Sequence, residues 1–150
     1  MKNELLETLS NLFIRDLNKL ESELSQYPNE ESIWKIDKSI ANSGGNLVLH
    51  LCGNLQHFIG TVLGKTGYVR NRDNEFAAKN IPRKDLLTEI DNTRKAMSAT
   101  LANLTDEQLK ANYPIEVFGK PMTTTYFLVH LSGHLGYHLG QVNYHRRLLA

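Results

Sequence analysis

The sequence predicts an all-α fold: a four-helix bundle with short extra helices and one extended excursion before the last helix. In four long segments, apolar residues recur every three or four positions, which is the spacing of helices that bury one face. Glycines and prolines interrupt this pattern and mark the connections between the segments. The chain has 150 residues, 41% of them hydrophobic, so it can enclose one hydrophobic core, and we expect a single domain over residues 1–150.

The first half of the chain contains two of the long helices. Leucines follow helical spacing in a first helix over residues 5–25, and residues 30–36 predict a short helix or turn. Gly44 and Gly45 indicate a break in the backbone, because glycine tolerates conformations that other residues avoid. We expect the second long helix after them, over residues 46–63.

The second half contains the other two long helices. After a polar loop with one short turn, Pro82 is well placed to begin a third helix over residues 83–104, and Thr105 to cap a short helix. Residues 113–124 alternate apolar and polar positions around a Gly-Lys-Pro turn, which predicts an extended excursion or small hairpin. The last helix is expected over residues 123–149, with one of three consecutive threonines as its cap.

The charge balance argues against two classes of partner. Lys plus Arg number 17 and Asp plus Glu number 16, so the chain has no strong net charge. Binding of nucleic acid by a general basic surface is therefore not expected. Attachment to an anionic membrane by a polybasic segment is not expected either.

The cysteine count and the N-terminus predict a cytoplasmic protein. Cys52 is the single cysteine, so no disulfide can form within the chain, which is typical of a reducing compartment. Charges recur every few residues near the N-terminus, so this stretch resembles neither a signal peptide nor a membrane span.

Histidines are concentrated on one stripe of the last helix. With about 100° per residue, His130, His138 and His145 fall within about 40° of His134. Gln141 lies on the same stripe, which the apolar pattern assigns to the interior. On the second helix, His50 and His57 are seven residues apart and therefore point in nearly the same direction, two turns apart.

This pattern predicts a metal site. Unpaired polar groups are costly to bury, and histidines at positions i and i+4 can bind one ion together, as His134 and His138 could. His50 is the best third ligand, although spacing alone does not exclude a competing set of His57, His130 and His134. Three neutral imidazoles would leave an open coordination position, which is the pattern of a catalytic site.

Other residues are expected to have structural roles or weaker links to function. Cys52 points about 200° away from His50 on the helical wheel, so we interpret it as a small buried apolar residue. Gly133, Gly136 and Gly140 are costly in a helix, which suggests that a neighbouring backbone or a ligand approaches them closely. Trp34 is interpreted as packing in the core or at the end of the bundle. Four arginines could receive an anionic substrate, although such residues are usually solvated at a surface: Arg70, Arg72, Arg146 and Arg147.

Two segments carry a resemblance to a known family. "LHLCGNLQH" at residues 49–57 and "HLSGHLGYHLGQVNYHRR" at residues 130–147 resemble the DinB/YfiT-like superfamily of four-helix-bundle metalloproteins. In that family, one histidine comes from the second helix and two come from an H-x-x-x-H pattern on the last helix, followed closely by a Gly-Gln pair. The resemblance implies that His50, His134 and His138 are the ligands of a divalent ion, often zinc or nickel in this family. Its known members include S-transferases that use bacillithiol or mycothiol, and a mycothiol-dependent isomerase.

These observations lead to three hypotheses of function. The first is a metal-dependent S-transferase that joins a low-molecular-weight thiol to a small-molecule substrate, with His130 or His57 as a catalytic hydrogen-bonding group or proton acceptor. The second is a metal-dependent hydrolase in which His130 accepts a proton from water. The third is a non-catalytic metal-binding stress-response module, whose coordination sphere a fourth ligand such as His57 would close. A homodimer is plausible in each case, because bundles readily pair exposed helix faces.

Overall fold

The protein is an all-α bundle, as predicted. A computed structural model describes residues 3–150 and contains six α-helices and no named strand within that range. The helices are α1 Glu4–Ser25, α2 Gly44–Leu55, α3 Arg72–Ala77, α4 Arg83–Ala102, α5 Asp106–Lys110 and α6 Thr124–Leu149. A 3₁₀ turn at Glu31–Trp34 precedes α2, and a π-helical turn at Gln56–Thr61 continues it.

The four long helices form the bundle. α1 and α2 each pack against both α4 and α6, so α1 and α2 occupy opposite corners. All four contribute to one core, in which Leu17, Leu51, Ile90 and Leu135 are fully buried. No helix within residues 3–150 is both long enough and apolar enough to cross a membrane.

Side-chain caps mark where three of the four long helices begin, and α4 follows Pro82 without such a cap. Asn3 Oδ1 accepts the backbone N–H of Leu6 at the start of α1, and Ser43 Oγ accepts that of Asn46 at the start of α2. Thr123, one of the three predicted cap residues, does the same for α6. Thr105 and Gln108 form a reciprocal capping box on α5, so the prediction of a capped short helix there is confirmed.

The glycines before the second helix are part of that helix instead of a break. Gly44 and Gly45 form its first turn and are buried. A Cβ on Gly44 would lie 2.2 Å from Tyr27 Oη, and one on Gly45 would lie 2.7 Å from the Trp34 ring. The helix begins earlier than predicted because the absence of a side chain lets these two aromatic residues pack directly on its backbone. Trp34 has the packing role that the sequence predicted.

The excursion between α5 and α6 is held by a few backbone contacts. Asn112 and Thr123 form an isolated antiparallel bridge, and the N–H of Tyr113 donates to the carbonyl of Met122 at 2.8 Å. The Tyr113 hydroxyl donates to the backbone carbonyl of Phe58, which ties the excursion to the end of the second helix. The predicted extended excursion is therefore present, closed at its base by a single bridge, with Phe118 near its middle.

α3 is fixed against the second helix by an asparagine. Asn46 Nδ2 donates to the backbone carbonyls of Glu75 and Ala78, at 3.0 and 2.8 Å. Asn46 is buried, so these bonds satisfy an amide that would otherwise be costly to enclose. They place Glu75 directly beside the middle of α2.

Candidate metal centre

Three imidazole rings converge between α2 and α6. His50, His134 and His138 each offer a ring nitrogen, and these atoms all lie within 4.8 Å of one another. The two Nε2 atoms of His50 and His134 are 3.3 Å apart. Within residues 3–150, these three histidines are the one group of three or more histidine, cysteine or carboxylate side chains that has the spacing to hold a metal ion.

Helix geometry explains this convergence. His134 and His138 are one turn apart on α6, which brings their ring centroids to 4.5 Å. α2 packs against the same face of α6, and His50 lies in the middle of α2, where it is only 6% exposed. Its ring centroid is 5.1 Å from each of the other two.

Two of the rings are oriented by hydrogen bonds on the side away from the cluster. His50 Nδ1 lies 3.0 Å from Glu75 Oε1, and His138 Nδ1 lies 2.7 Å from Gln141 Oε1. Both partner oxygens only accept, so each Nδ1 donates its proton and each Nε2 keeps a lone pair. Metal-binding histidines usually have such a partner on the remote nitrogen, because it fixes the tautomer and the ring orientation.

Glu75 is buried in a network of ionic hydrogen bonds. Its carboxylate accepts from Arg70 Nε at 2.9 Å and from Arg70 Nη2 at 3.0 Å, in addition to the bond from His50. Burial acts to raise the pKa of Glu75, but the bonds from His50 and Arg70 outweigh it and lower the pKa. Glu75 is therefore ionised at neutral pH and holds the His50 ring in place.

The sequence analysis missed Glu75. It lies in a polar segment without apolar periodicity, 25 residues from His50, so no spacing rule connects the two. A weak signal was available in Gly53, where a Cβ would lie 1.9 Å from Glu75 Oε2. Only the packing of α3 on α2 shows why that position has no side chain.

His134 has properties that suit a ligand of a cation. Its Nδ1 is buried and has no hydrogen-bond partner among the described residues. Burial, followed by repulsion from His138 and His50, lowers the pKa of His134 to about 4, so the ring is neutral at pH 7. Neutral imidazoles that meet with their lone pairs fit a divalent ion of the zinc or nickel type, and their chemistry does not choose between the two.

The other two predicted functional histidines do not join the cluster. His130 is exposed on α6 and stacks on Phe127, with ring centroids 5.9 Å apart. His57 is seven residues beyond His50, about 10 Å further along the helix axis, and it packs against Phe58. The competing set of His57, His130 and His134 is therefore not brought together.

His145 and Cys52 have structural surroundings. His145 is buried, with Nδ1 2.7 Å from the Tyr27 hydroxyl and Nε2 2.7 Å from the backbone oxygen of Lys35. Cys52 is 1% exposed, and burial raises the pKa of its thiol to about 12. The interpretation of Cys52 as a small buried residue is confirmed.

The glycines of α6 face open space. A Cβ on Gly133 or Gly140 would meet nothing within 4 Å, and one on Gly136 would come no closer than 3.9 Å to Asp16 Oδ2. The expected close approach of a neighbouring backbone does not occur there. The tight contacts are made at the glycines of the second helix instead.

The four arginines differ in their surroundings. Arg146 is paired with Glu23 at 2.8 Å, and Arg147 lies over the Tyr144 ring at the C-terminal end of α6. Arg70 is held by Glu75 at the cluster, and Arg72 is exposed over the Phe76 ring. Two of the four therefore lie close to the histidines.

A cavity of about 360 Å³ opens beside the cluster. His50 and His134 line one end of it, and Arg70 and Arg72 line another part. Aromatic residues from three different segments complete the wall: Phe58, Phe118 and Phe127. The histidines are thus accessible to a small molecule from this side.

Comparisons with known proteins agree with this architecture. The family described as "Protein of unknown function (DUF1572)" matches residues 1–150. No curated protein matches the chain. A conserved protein from Enterococcus faecalis has a similar crystal structure, with a TM-score of 0.77 and 19% identity over 99% of this chain and 98% of that chain.

A second crystal structure connects the fold to the resemblance noted in the sequence. A DinB-like protein from Bacillus cereus ATCC 10987 is similar with a TM-score of 0.70 and 19% identity, over 90% of this chain and 89% of that chain. At this identity, the likeness shows a shared fold. The three histidines thus lie in a chain that has a DinB-like fold, in support of the predicted DinB/YfiT-like assignment, and that belongs to the DUF1572 family.

Proposed function

We propose that this protein is a metal-dependent enzyme in which His50, His134 and His138 hold one divalent ion. The observation that carries the proposal is the convergence of three ring nitrogens, two of them oriented from behind by Glu75 and Gln141. No fourth histidine, cysteine or carboxylate within residues 3–150 joins this group. The arrangement therefore favours an open site over a closed structural one.

The reaction that we propose is conjugation of a small thiol, through its sulfur atom, to an electrophilic small molecule. None of the described residues that line the cavity is a serine, threonine or cysteine. The Glu75 carboxylate is held by His50 and Arg70, and Cys52 is buried with a raised thiol pKa. This lining favours a nucleophile from outside the chain, and a low-molecular-weight thiol would supply one.

A divalent cation at the cluster would favour the deprotonated form of a thiol that binds beside it. In the transfer, a sulfur–carbon bond forms while the bond from that carbon to the leaving group breaks, and the leaving group departs with the proton of the thiol. Glu75 and Gln141 keep the rings of His50 and His138 in position throughout.

The first test is elemental analysis of the purified protein and of single histidine variants. We expect one zinc or nickel ion per chain, and its loss in His50→Ala and in His134→Ala. His57→Ala is the matched control. It also removes a histidine side chain, from the π-helical turn that continues α2, but this variant should retain the metal. Equal metal content in all four proteins would disprove the site.

The second test measures the reaction. The protein loaded with zinc or nickel is assayed for conjugation of a panel of small thiols to an electrophile such as monochlorobimane. We expect a rate above that of the metal-free protein and of His138→Ala. A full metal content without any such rate would reject the S-transferase while leaving the metal site intact.

A metal-dependent hydrolase is the second candidate, favoured by one observation. His130 lines the same cavity as His134 and is exposed, so it could accept a proton from an attacking water. Ester or phosphoester hydrolysis that requires the metal and falls in His130→Ala would support this candidate. Conjugation of thiols that survives in His130→Ala would favour the S-transferase.

A further inference from the structure

We infer that the cavity beside the histidines binds a small organic anion that also has an apolar part about the size of an aromatic ring system. This inference rests on the proposed function for its role, because the anion would be the electrophilic partner of the thiol. The binding site itself is argued from the residues that line the cavity: their charge, their aromatic surfaces and one unpartnered buried amide.

The cavity has one arginine, Arg72, without a carboxylate partner among residues 3–150. Arg70 and Arg72 line the cavity, and no aspartate or glutamate is among its lining residues. Glu75 neutralises Arg70, but no carboxylate of the described chain lies within 4.0 Å of the Arg72 guanidinium. Three neutral imidazoles would leave the charge of a divalent ion uncompensated as well. An anionic ligand is the chemistry that balances this charge.

Arg70 and Arg72 are already positioned for such a ligand. Arg70 uses Nε and Nη2 on Glu75, and its Nη1 has no hydrogen-bond partner among residues 3–150. Its guanidinium lies 5.7 Å from the centre of the Phe58 ring. The Arg72 guanidinium lies 5.4 Å from the centre of the Phe76 ring. Both cations therefore lie on aromatic faces that restrict their movement.

Most of the other residues that line the cavity are apolar or aromatic. Phe127 contacts Phe58 at a centroid distance of 5.1 Å and Phe118 at 5.9 Å. Phe118 comes from the excursion between α5 and α6 and is 50% exposed, so its packing is incomplete in the free protein. A planar or alkyl body of a ligand would cover this face. The volume of about 360 Å³ is at the small end of the range of ligand sites, which limits the ligand to a small molecule.

Asn54 supplies the independent polar signal. It lines the cavity one helical turn beyond His50, is only 7% exposed, and its Oδ1 is buried without a hydrogen-bond partner among the described residues. A buried amide without a partner costs free energy unless a ligand or solvent completes it. Because Oδ1 only accepts, we assign to Asn54 a hydrogen bond from a donor of the ligand, such as a hydroxyl group, that lies apart from the anionic group.

The test measures binding of a defined probe by isothermal titration calorimetry. The probe is 6-hydroxynaphthalene-2-carboxylate, whose hydroxyl group can donate to Asn54 Oδ1. It is compared with its methyl ester, which keeps the hydroxyl group but lacks the charge, and with acetate, which has the charge without the aromatic body. Titrations use both the metal-free and the zinc-loaded protein. We expect the carboxylate to bind in both forms, more tightly with zinc, and both comparison compounds to bind at least about fivefold more weakly.

Three variants locate the site. Arg72→Gln should weaken binding of the carboxylate about fivefold, near the upper limit for an exposed ion pair. Phe118→Ala should weaken it about tenfold by removing apolar contact area. Arg147→Gln is the matched control, because Arg147 is also an exposed arginine over an aromatic ring, 5.2 Å from Tyr144, but lies outside the cavity. Its affinity should equal that of the wild type.

The outcomes separate this inference from the proposed function. Affinities within twofold of the wild type in both Arg72→Gln and Phe118→Ala, or equal binding of the methyl ester and the carboxylate, would overturn the inference. Neither result would affect the metal content or the thiol assay. Conversely, binding that depends on Arg72 and Phe118 in a protein without metal or transferase activity would support the anion site and reject only its role in that reaction.

Discussion

Glu75 is the residue that links the histidine cluster to the rest of the molecule. Its carboxylate accepts from His50 on one side and from Arg70 on the other, in a buried position on α3. The ionic bonds outweigh the cost of burial and keep the carboxylate charged. A charged acceptor behind an imidazole makes the opposite ring nitrogen a better ligand.

Replacement of Glu75 should therefore weaken metal binding without removing a ligand. We expect Glu75→Gln to reduce zinc affinity about 10- to 100-fold, the usual effect of losing such a supporting group, in competition titrations with a chelator. Glu89→Gln is a suitable control, because Glu89 accepts from Gln56 Nε2 and is not part of the cluster. Equal affinities of the two variants would show that Glu75 does not support the site.

His145 shows how a histidine on the same stripe can have a purely structural role. Its Nε2 faces a backbone carbonyl and must donate, so its Nδ1 accepts from the Tyr27 hydroxyl. Burial lowers the pKa of His145, although the bond to the Lys35 carbonyl acts in the opposite direction. The ring is therefore held neutral in the folded protein.

The stability of the metal-free protein should consequently depend on pH. The folded-state pKa of His145 lies below its unfolded value, so the unfolded chain binds a proton more readily. The contribution of His145 is fully present above about pH 6.5 and is lost as the pH falls below that value toward the folded-state pKa. Urea unfolding between pH 8 and 5 should show this decline. The decline should be smaller in His145→Gln, and an identical pH dependence in both proteins would contradict the assignment.

Among the helices, α2 and α6 use their glycines in opposite ways. The glycines of α2 lie under other side chains: Tyr27 on Gly44, and Glu75 on Gly53. Those of α6 at 133 and 140 face open space. Sequence spacing cannot distinguish the two uses, because the distinction depends on which elements pack against each helix.

Alanine substitutions should separate these two uses. We expect Gly133→Ala to raise the free energy of unfolding by about 1 kcal/mol, since the new methyl group meets nothing and alanine favours the helix. Gly53→Ala should instead displace the Glu75 carboxylate, which is tied to His50, and weaken zinc binding. Chemical denaturation and zinc titration of both variants provide the measurements. A loss of zinc affinity in Gly133→Ala of the same size would refute this distinction.

For the whole molecule, the histidine cluster joins two neighbouring long helices. His50 comes from α2, and His134 and His138 come from α6, so a bound ion would connect residues about 84 positions apart in the sequence. An ion that binds only the folded chain stabilises it by mass action. The expected homodimer remains a prediction, which light scattering of the purified protein would test.

Zinc should therefore raise the melting temperature of the wild type. At a free zinc concentration of 100 times the dissociation constant, the gain is about 2.7 kcal/mol, which differential scanning calorimetry detects readily. The gain should be absent in His134→Ala and present in His57→Ala, whose side chain is outside the cluster. A zinc-dependent shift that His134→Ala retains would mean that zinc stabilises the protein at another place.

Much of the fold and the pairing of His134 with His138 followed from residue spacing, and the family resemblance added His50 as the third histidine. The helical periodicity, the caps at Thr105 and Thr123 and the i, i+4 spacing of His134 and His138 are local properties, so they can be deduced from neighbouring residues. His50 lies on an apolar face of α2, so it comes close to this pair once α2 and α6 pack together. Local patterns could not separate His50 from His57, because both share a direction on the helical wheel.

The tertiary structure alone decided the surroundings of the histidines. Glu75 reaches His50 because α3 folds back onto α2, and Phe118 reaches the cavity because the excursion turns toward α6. Both contacts join segments that are distant in the sequence and lack periodic patterns, so no short-range rule could predict them. The ligand-bearing helices, and Gln141 beside His138, are thus determined by local sequence pattern. Glu75 beside His50 and the aromatic lining of the cavity depend instead on long-range packing of irregular segments.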